Sequence, residues 1–190
     1  ILYDKPQIFV SNHQGYFDIF ALSGYLPVQI RWVAKSSLFK IPFMGWAMKA
    51  SGYIPVERGD RKKAFEAFNK TLEKLKEGSS IIIFPEGTRM PPGTIGKFPP
   101  GVAAIYTQLN ATVVPVAVNS GMFWPRRVFL KKPGKIVIEF LPPIEPGMDR
   151  KEFMVELQSQ IKTATQKLEK EAGFVPEDAE PPTSLPHPNE

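Results

Sequence analysis

Cysteine is absent from the 190 residues, and histidine occurs only twice. No disulfide or thiolate metal site can form. His187 lies in the tail, so His13 is the single histidine of the body, which argues against a zinc site of the usual ligand types. Long apolar runs are also missing. No stretch approaches the roughly 20 residues of a membrane-spanning helix, and no secretory signal pattern is present. There is no internal repeat. The chain opens on Ile1 rather than Met and runs almost directly into a strand, so an upstream segment is expected to be missing, with room in it for a membrane anchor.

What is present is the composition of one globular unit, 43% hydrophobic and long enough to bury a sizeable core. Net charge is +5, but Glu177, Asp178, Glu180 and Glu190 lie in a segment from Gly173 onward that holds no Lys or Arg, so the preceding body carries +9. A basic body suits phosphate-bearing partners: nucleic acid, nucleotides or anionic lipid. The Pro-rich acidic stretch 173–190 lacks apolar periodicity and reads as a disordered tail behind a domain of residues 1–172.

Ile8, Phe9 and Val10 read as a short buried strand, and Ile19, Phe20, Ala21, Leu22 and Leu26 follow at helical spacing. His13 therefore falls in a strand-to-helix turn, with Asp18 five residues on. Five positions along an ideal helix lie about 140 degrees apart, so the two side chains meet only if His13 precedes the helix. A carboxylate on Nδ1 would fix one tautomer and leave Nε2 to take a proton from a hydroxyl. The alternative is a turn histidine beside an aspartate stabilised at a helix start.

Strands are expected at 29–33, at 52–58 ending in Arg58, at 80–84, at 113–118 and at 136–141. Pro115 points to an edge or irregular position for the fourth of these. The run Ser80 to Phe84 is apolar throughout, the pattern of a strand covered on both faces. It breaks into Pro85-Glu86-Gly87-Thr88-Arg89, and such strand ends are where open α/β sheets place ligands. Gly87 allows close backbone approach, Arg89 suits a phosphate, and Glu86 could bind a substrate hydroxyl or hold Arg89; a solvent-exposed turn is the other reading. Helices are expected over 60–76, capped by Asp60 with a Phe65, Phe68, Leu72, Leu75 stripe, over 101–109, and over 149–172 with Phe153, Leu157, Ile161, Ala164 and Leu168 on one face.

Two stretches mix apolar and basic residues. Residues 35–49 combine Lys35, Lys40 and Lys49 with Phe39, Phe43 and Trp46, which suits a lipid surface, an apolar groove or a core helix. Its Ser37-Leu38-Phe39-Lys40 matches S-x-x-K by chance, lacking the companion K-T-G or S-D-N. Residues 122–132 carry Phe123, Trp124 and Phe129 among four cations, a pattern for a membrane surface or single-stranded nucleic acid.

Four blocks in order resemble the glycerolipid acyltransferase family, most closely the 1-acyl-glycerol-3-phosphate acyltransferases. Asn12-His13 to Asp18 matches that family's N-H-x4-D block, Gly52 to Arg58 its G-x-I-x-x-x-R block, Phe84 to Arg89 its F-P-E-G-T-R block, and Val114 to Val118 its V-P-V block. Lys97 and Gly101 resemble a Lys and Gly that follow the third block. Gly15 stands where a serine is commoner, Pro99-Pro100 precedes Gly101, and the usual N-terminal hydrophobic segment is missing.

The resemblance implies a single α/β domain with a central mixed, mostly parallel sheet and helices on both faces. It implies transfer of a fatty acyl group from acyl-CoA or acyl-carrier protein to the free hydroxyl of 1-acyl-glycerol-3-phosphate, giving phosphatidic acid, with no metal and no cofactor beyond the thioester. His13 is the implied general base and Asp18 its partner. Arg58 and Arg89 hold the acceptor's phosphate, Glu86, Gly87 and Thr88 shape the glycerol site, and Lys97 adds to it. The absence of G-x-S-x-G fits direct transfer, and backbone amides near His13 are expected to stabilise the oxyanion. The implied setting is the cytoplasmic face of the cell membrane, peripheral on an anionic surface, with no nucleic-acid partner. Glycerol-3-phosphate, a lysophospholipid or a lyso-aminolipid is the alternative acceptor. A nucleic-acid-binding module would leave His13, Asp18 and the 86–89 turn unexplained, and a lipid-binding scaffold would not need them intact.

Overall fold

The computed structural model describes residues 5–57, 61–126 and 128–175. Arg58, Asp60 and the stretch 176–190, and with them the expected phosphate contact, helix cap and disordered tail, lie outside the described residues.

Six strands form one sheet: β1 (Ile8–Ser11), β2 (Ile30–Lys35), β3 (Ile54–Val56), β4 (Ser80–Ile83), β5 (Val113–Val118) and β6 (Ile138–Phe140). Their order is β3-β2-β4-β1-β5-β6, with every pairing parallel except β5 with β6. β1 lies at the centre, with Ile8 facing Ile81 of β4 and Val113 of β5. Alternation then sorts the side chains. Ile8, Val10, Ile81 and Ile83 go to one face, against α3 (Arg61–Lys76), α4 (Gly101–Leu109) and α5 (Arg150–Glu171). Phe9, Ile82, Val114 and Val116 go to the other, against Leu22 of α1 (Tyr16–Tyr25), Leu26 and Trp32. Covering both faces is what makes β1 and β4 apolar throughout.

Three expectations need correction. Phe65 is 64% exposed; among the described side chains of α3, Ala67 and Thr71, one turn apart, are the buried ones, with Phe68 and Leu72 at the margin. Pro115 lies one strand in from the edge. Its carbonyl accepts from Leu141 N on the β6 side, so its missing N–H faces that side too, where Pro142-Pro143 interrupts the pairing between Leu141 and the Val113–Ile144 bridge. The irregularity belongs to β6, which is short. Residues 35–49 form no core helix. A 3-10 turn (Ser36–Lys40) leads to α2 (Met44–Ala50), leaving Phe43 78% and Trp46 61% exposed.

Because β1 to β5 run parallel, the segments after them, among them residues 12–15, 36–50, 84–90, 119–126 and 128–132, all gather at one edge of the sheet, the carboxyl edge.

Candidate active site

β1 stops because Asn12 replaces a strand residue with a side chain. Its Nδ2 donates to Val118 O (2.9 Å), and its Oδ1 accepts from Val118 N (2.8 Å). The amide continues the pairing to β5 while the backbone turns away, and His13 emerges at the carboxyl edge. Gly15 then starts α1 as its N-cap. No side chain fits there, because a Cβ would stand 2.8 Å from the Trp124 carbonyl oxygen. The departure from serine therefore has a local cause.

Asp18 occupies the third position of α1, and its Oδ2 gathers three donors: His13 Nδ1 at 2.9 Å, Gln14 N at 2.8 Å and Gly15 N at 3.0 Å. It is fully buried. Since a carboxylate only accepts, Nδ1 carries the imidazole hydrogen and Nε2 presents its lone pair. The ring lies flat on Phe84, centroids 3.9 Å apart and planes 9° from parallel, so its rotation is fixed from a second direction. The His13 side chain retains 12% exposure, enough for a bound hydroxyl to reach it.

The turn after β4 clasps the same residue. Glu86 Oε2 accepts from His13 N (2.9 Å), and Met90 N donates to His13 O (2.7 Å). Glu86 Oε1 accepts from Gly96 N at 2.9 Å, tying in the loop that carries Lys97, whose side chain is exposed. Burial pushes the Glu86 carboxyl up to about 7, two amide bonds pull against it, and the Asp18 and Glu169 charges push further the same way. Gly87 adopts φ 62°, its N–H bonded to Phe84 O at 3.0 Å, a turn that disfavours side chains. Arg89 lies 4.0 Å over the Tyr16 ring at the start of α1.

The structure thus joins His13, Asp18, Glu86 and the 87–89 turn, with Lys97 on an adjoining loop. The structure narrows one expectation: the amides of His13, Gln14 and Gly15 are engaged by carboxylates, which leaves other amides near His13 for the expected oxyanion contact. It also adds residues that sequence reasoning did not assign. Arg126 Nη1 donates to Thr88 Oγ1 and to Arg89 O, both at 3.3 Å, bringing a second guanidinium to the turn; its place in the basic-aromatic stretch was the available signal. Gln14 and Glu169, hydrogen-bonded 155 positions apart, gave none.

A family model described as Acyltransferase matches residues 2–119. The chain is 34% identical over 155 residues to a 1-acyl-sn-glycerol-3-phosphate acyltransferase of Pseudomonas aeruginosa, covering 81% of this chain and 60% of the relative. It is 36% identical over 123 residues to a chloroplastic 1-acyl-sn-glycerol-3-phosphate acyltransferase of Arabidopsis thaliana, covering 64% and 34%. The chain thus spans about 60% and about a third of these curated relatives. Among solved structures, the 1-acyl-sn-glycerophosphate acyltransferase of Thermotoga maritima superposes with a TM-score of 0.75 at 28% identity, covering 89% of this chain and 68% of that one.

Proposed function

The chain belongs to the acyltransferase family, and from that premise we propose that it moves a fatty acyl group from a CoA or carrier-protein thioester to the free hydroxyl of 1-acyl-glycerol-3-phosphate, giving phosphatidic acid. The observation that carries this reading is the His13–Asp18 pair, 2.9 Å apart at the carboxyl edge, with the Glu86 to Arg89 turn closed around it.

The chemistry follows from that geometry. His13 Nε2 removes the acceptor's hydroxyl proton as its oxygen attacks the thioester carbonyl, while buried Asp18 stabilises the imidazolium that forms. When the tetrahedral intermediate collapses, the C–S bond breaks and the imidazolium returns the proton to the departing sulfur. An ester and a free thiol result. No protein nucleophile intervenes, and the activated thioester supplies the driving force without a resident cofactor.

Arg89, stacked on Tyr16, receives the acceptor's phosphate with Arg126 close behind it, and Arg58 and Lys97 are assigned to the same anion. Gly87 and Thr88 border the glycerol, and Glu86 contributes by holding the His13 amide. A groove of about 400 Å³ lined by Phe17, Ala21, Leu22, Tyr25, Ile138 and Phe140 begins at Phe17, next to Asp18 on α1, and offers the apolar surface an acyl chain needs.

The reading places the protein on the cytoplasmic face of a membrane. Among the described residues, no helix is long and apolar enough to cross one. Support for peripheral contact comes from Phe43 and Trp46 after β2 and from Val128, Phe129 and Leu130 after β5, all exposed and all on segments leaving the carboxyl edge.

The test is labelled acyl-CoA offered with a panel of acceptors: lysophosphatidate, glycerol-3-phosphate, lysophospholipids and a lyso-aminolipid. Lysophosphatidate is expected to be acylated fastest. Acylation of another acceptor with none of lysophosphatidate refutes the assignment.

A further inference from the structure

Glu169 sits where a carboxylate is least expected. It lies in the last turn of α5, at the negative end of the helix dipole, and is 2% exposed. Burial pushes its carboxyl up, against hydrogen bonds from Gln14 and Gly93 that pull it down. Helix dipole and solvation both disfavour it, and conflict of that kind marks residues kept for another reason.

Its partners supply the reason. Glu169 Oε1 accepts from Gln14 Nε2 at 2.6 Å, and its Oε2 accepts from Gly93 N at 3.1 Å. Gln14 cannot turn over, because its Oε1 accepts from Gly121 N at 3.0 Å, which leaves only Nε2 to face α5. Gln14 is itself 1% exposed, follows His13 directly and gives its own N–H to Asp18. Gly93 begins the stretch whose Gly96 holds Glu86, and Glu86 holds the His13 amide. Glu169 therefore reaches the His13 turn by two routes, one on each side. Asn119 Nδ2, on Leu168 O at 3.4 Å, fastens the same turn of α5 to the end of β5.

We propose that Glu169 is a positioning residue for His13: from the end of α5 it fixes the Gln14 side chain, and with it the turn whose amides hold Asp18 against the imidazole. Glu169 lies beyond the segment the family model matches. The proposal rests on the reading of His13 as the base. It adds that α5 is part of the apparatus that keeps this base aligned, besides closing one face of the core.

The test uses the full chain, with whichever acceptor of the panel is turned over best. Glu169→Ala is expected to lower kcat between about ten- and a hundredfold, the range of a small misplacement of reacting groups, with KM for thioester and acceptor within about twofold of wild type. Glu169→Gln keeps an acceptor for Gln14 but turns its NH2 toward the Gly93 N–H, and is expected to recover part of kcat. In a double-mutant cycle with Gln14→Ala, the combined variant should be no slower than the slower single one, because both act through one contact. If Glu169→Ala does not fold, Glu169→Asp, which keeps the charge but falls short of Gln14, is expected to show the same loss. Wild-type kcat in Glu169→Ala or Glu169→Asp, or losses that multiply in the double variant, would overturn the proposal. His13→Ala in the same assay separates the two ideas: if it retains the rate, the base assignment fails, and if it is inactive while Glu169→Ala is normal, only the positioning role fails.

Discussion

Glu86 is held in a buried site by two backbone amides and repelled by two neighbouring carboxylates. Its folded-state pKa, about 7, lies above the ordinary value of 4.5. The folded protein therefore binds this proton more tightly than the unfolded chain does, and the residue favours folding below pH 4.5. That contribution is lost as pH rises through 7, which over about 2.5 units amounts to roughly 3 kcal/mol. The expected outcome is that Glu86→Gln gains stability relative to wild type by up to that amount between pH 4.5 and 7, measured by urea unfolding across the range. A difference that stays constant with pH contradicts it.

At the same scale, the legible residues were those whose partners lie near in sequence. His13 and Asp18 are five apart, and a strand-to-helix break between them leaves few arrangements. Glu86's bond to His13 N, Asn12's to Val118 and Glu169's to Gln14 span 73, 106 and 155 positions. No periodicity reports such pairings, because they are set by which strands lie side by side.

Among the elements, α5 was the most readable and carries the clearest energetic expectation. Its stripe of Phe153, Leu157 and Ile161 is fully buried against the β1, β4 and β5 face. Asp149 caps it, accepting from Lys151 N at 2.8 Å. Leu157→Ala should cost about 2–5 kcal/mol by removing packed methyl groups and leaving a cavity. Val155→Ala, at a position 69% exposed, should fall within about 0.5 kcal/mol. Urea denaturation of both variants checks the contrast. The strands were equally readable as apolar runs, but α3 shows where pattern misleads. Phe65 completes the helical stripe in sequence, yet the sheet is met by Ala67 and Thr71, the small residues that allow close approach. Size at a helix–sheet contact is decided by the partner surface, which the helix's own sequence does not contain.

For the whole molecule, parallel topology matters more than any single strand. Five strands pointing one way deliver the His13 turn, the 86–89 turn and both exposed apolar segments to one edge, the placement that the proposed membrane contact requires. Phe129, 98% exposed, stands beside Lys131 and Lys132, on a loop whose Lys132 N donates to Phe123 O. Each cation near an anionic surface adds about 1 kcal/mol. Binding to vesicles containing phosphatidate or phosphatidylglycerol should therefore exceed binding to phosphatidylcholine alone, and should fall on adding salt or on Phe129→Ser. Equal sedimentation with both vesicle types, unaffected by salt, would place the docking face elsewhere.

The central claim is that the His13 imidazole, aligned by Asp18, removes the acceptor's proton. Its most direct measurement is the rate of labelled acyl transfer to the best acceptor by His13→Ala, with circular dichroism confirming the fold. The account predicts a loss of at least about a hundredfold, the lower range for a positioned general base. Transfer at near the wild-type rate by the folded variant would contradict it.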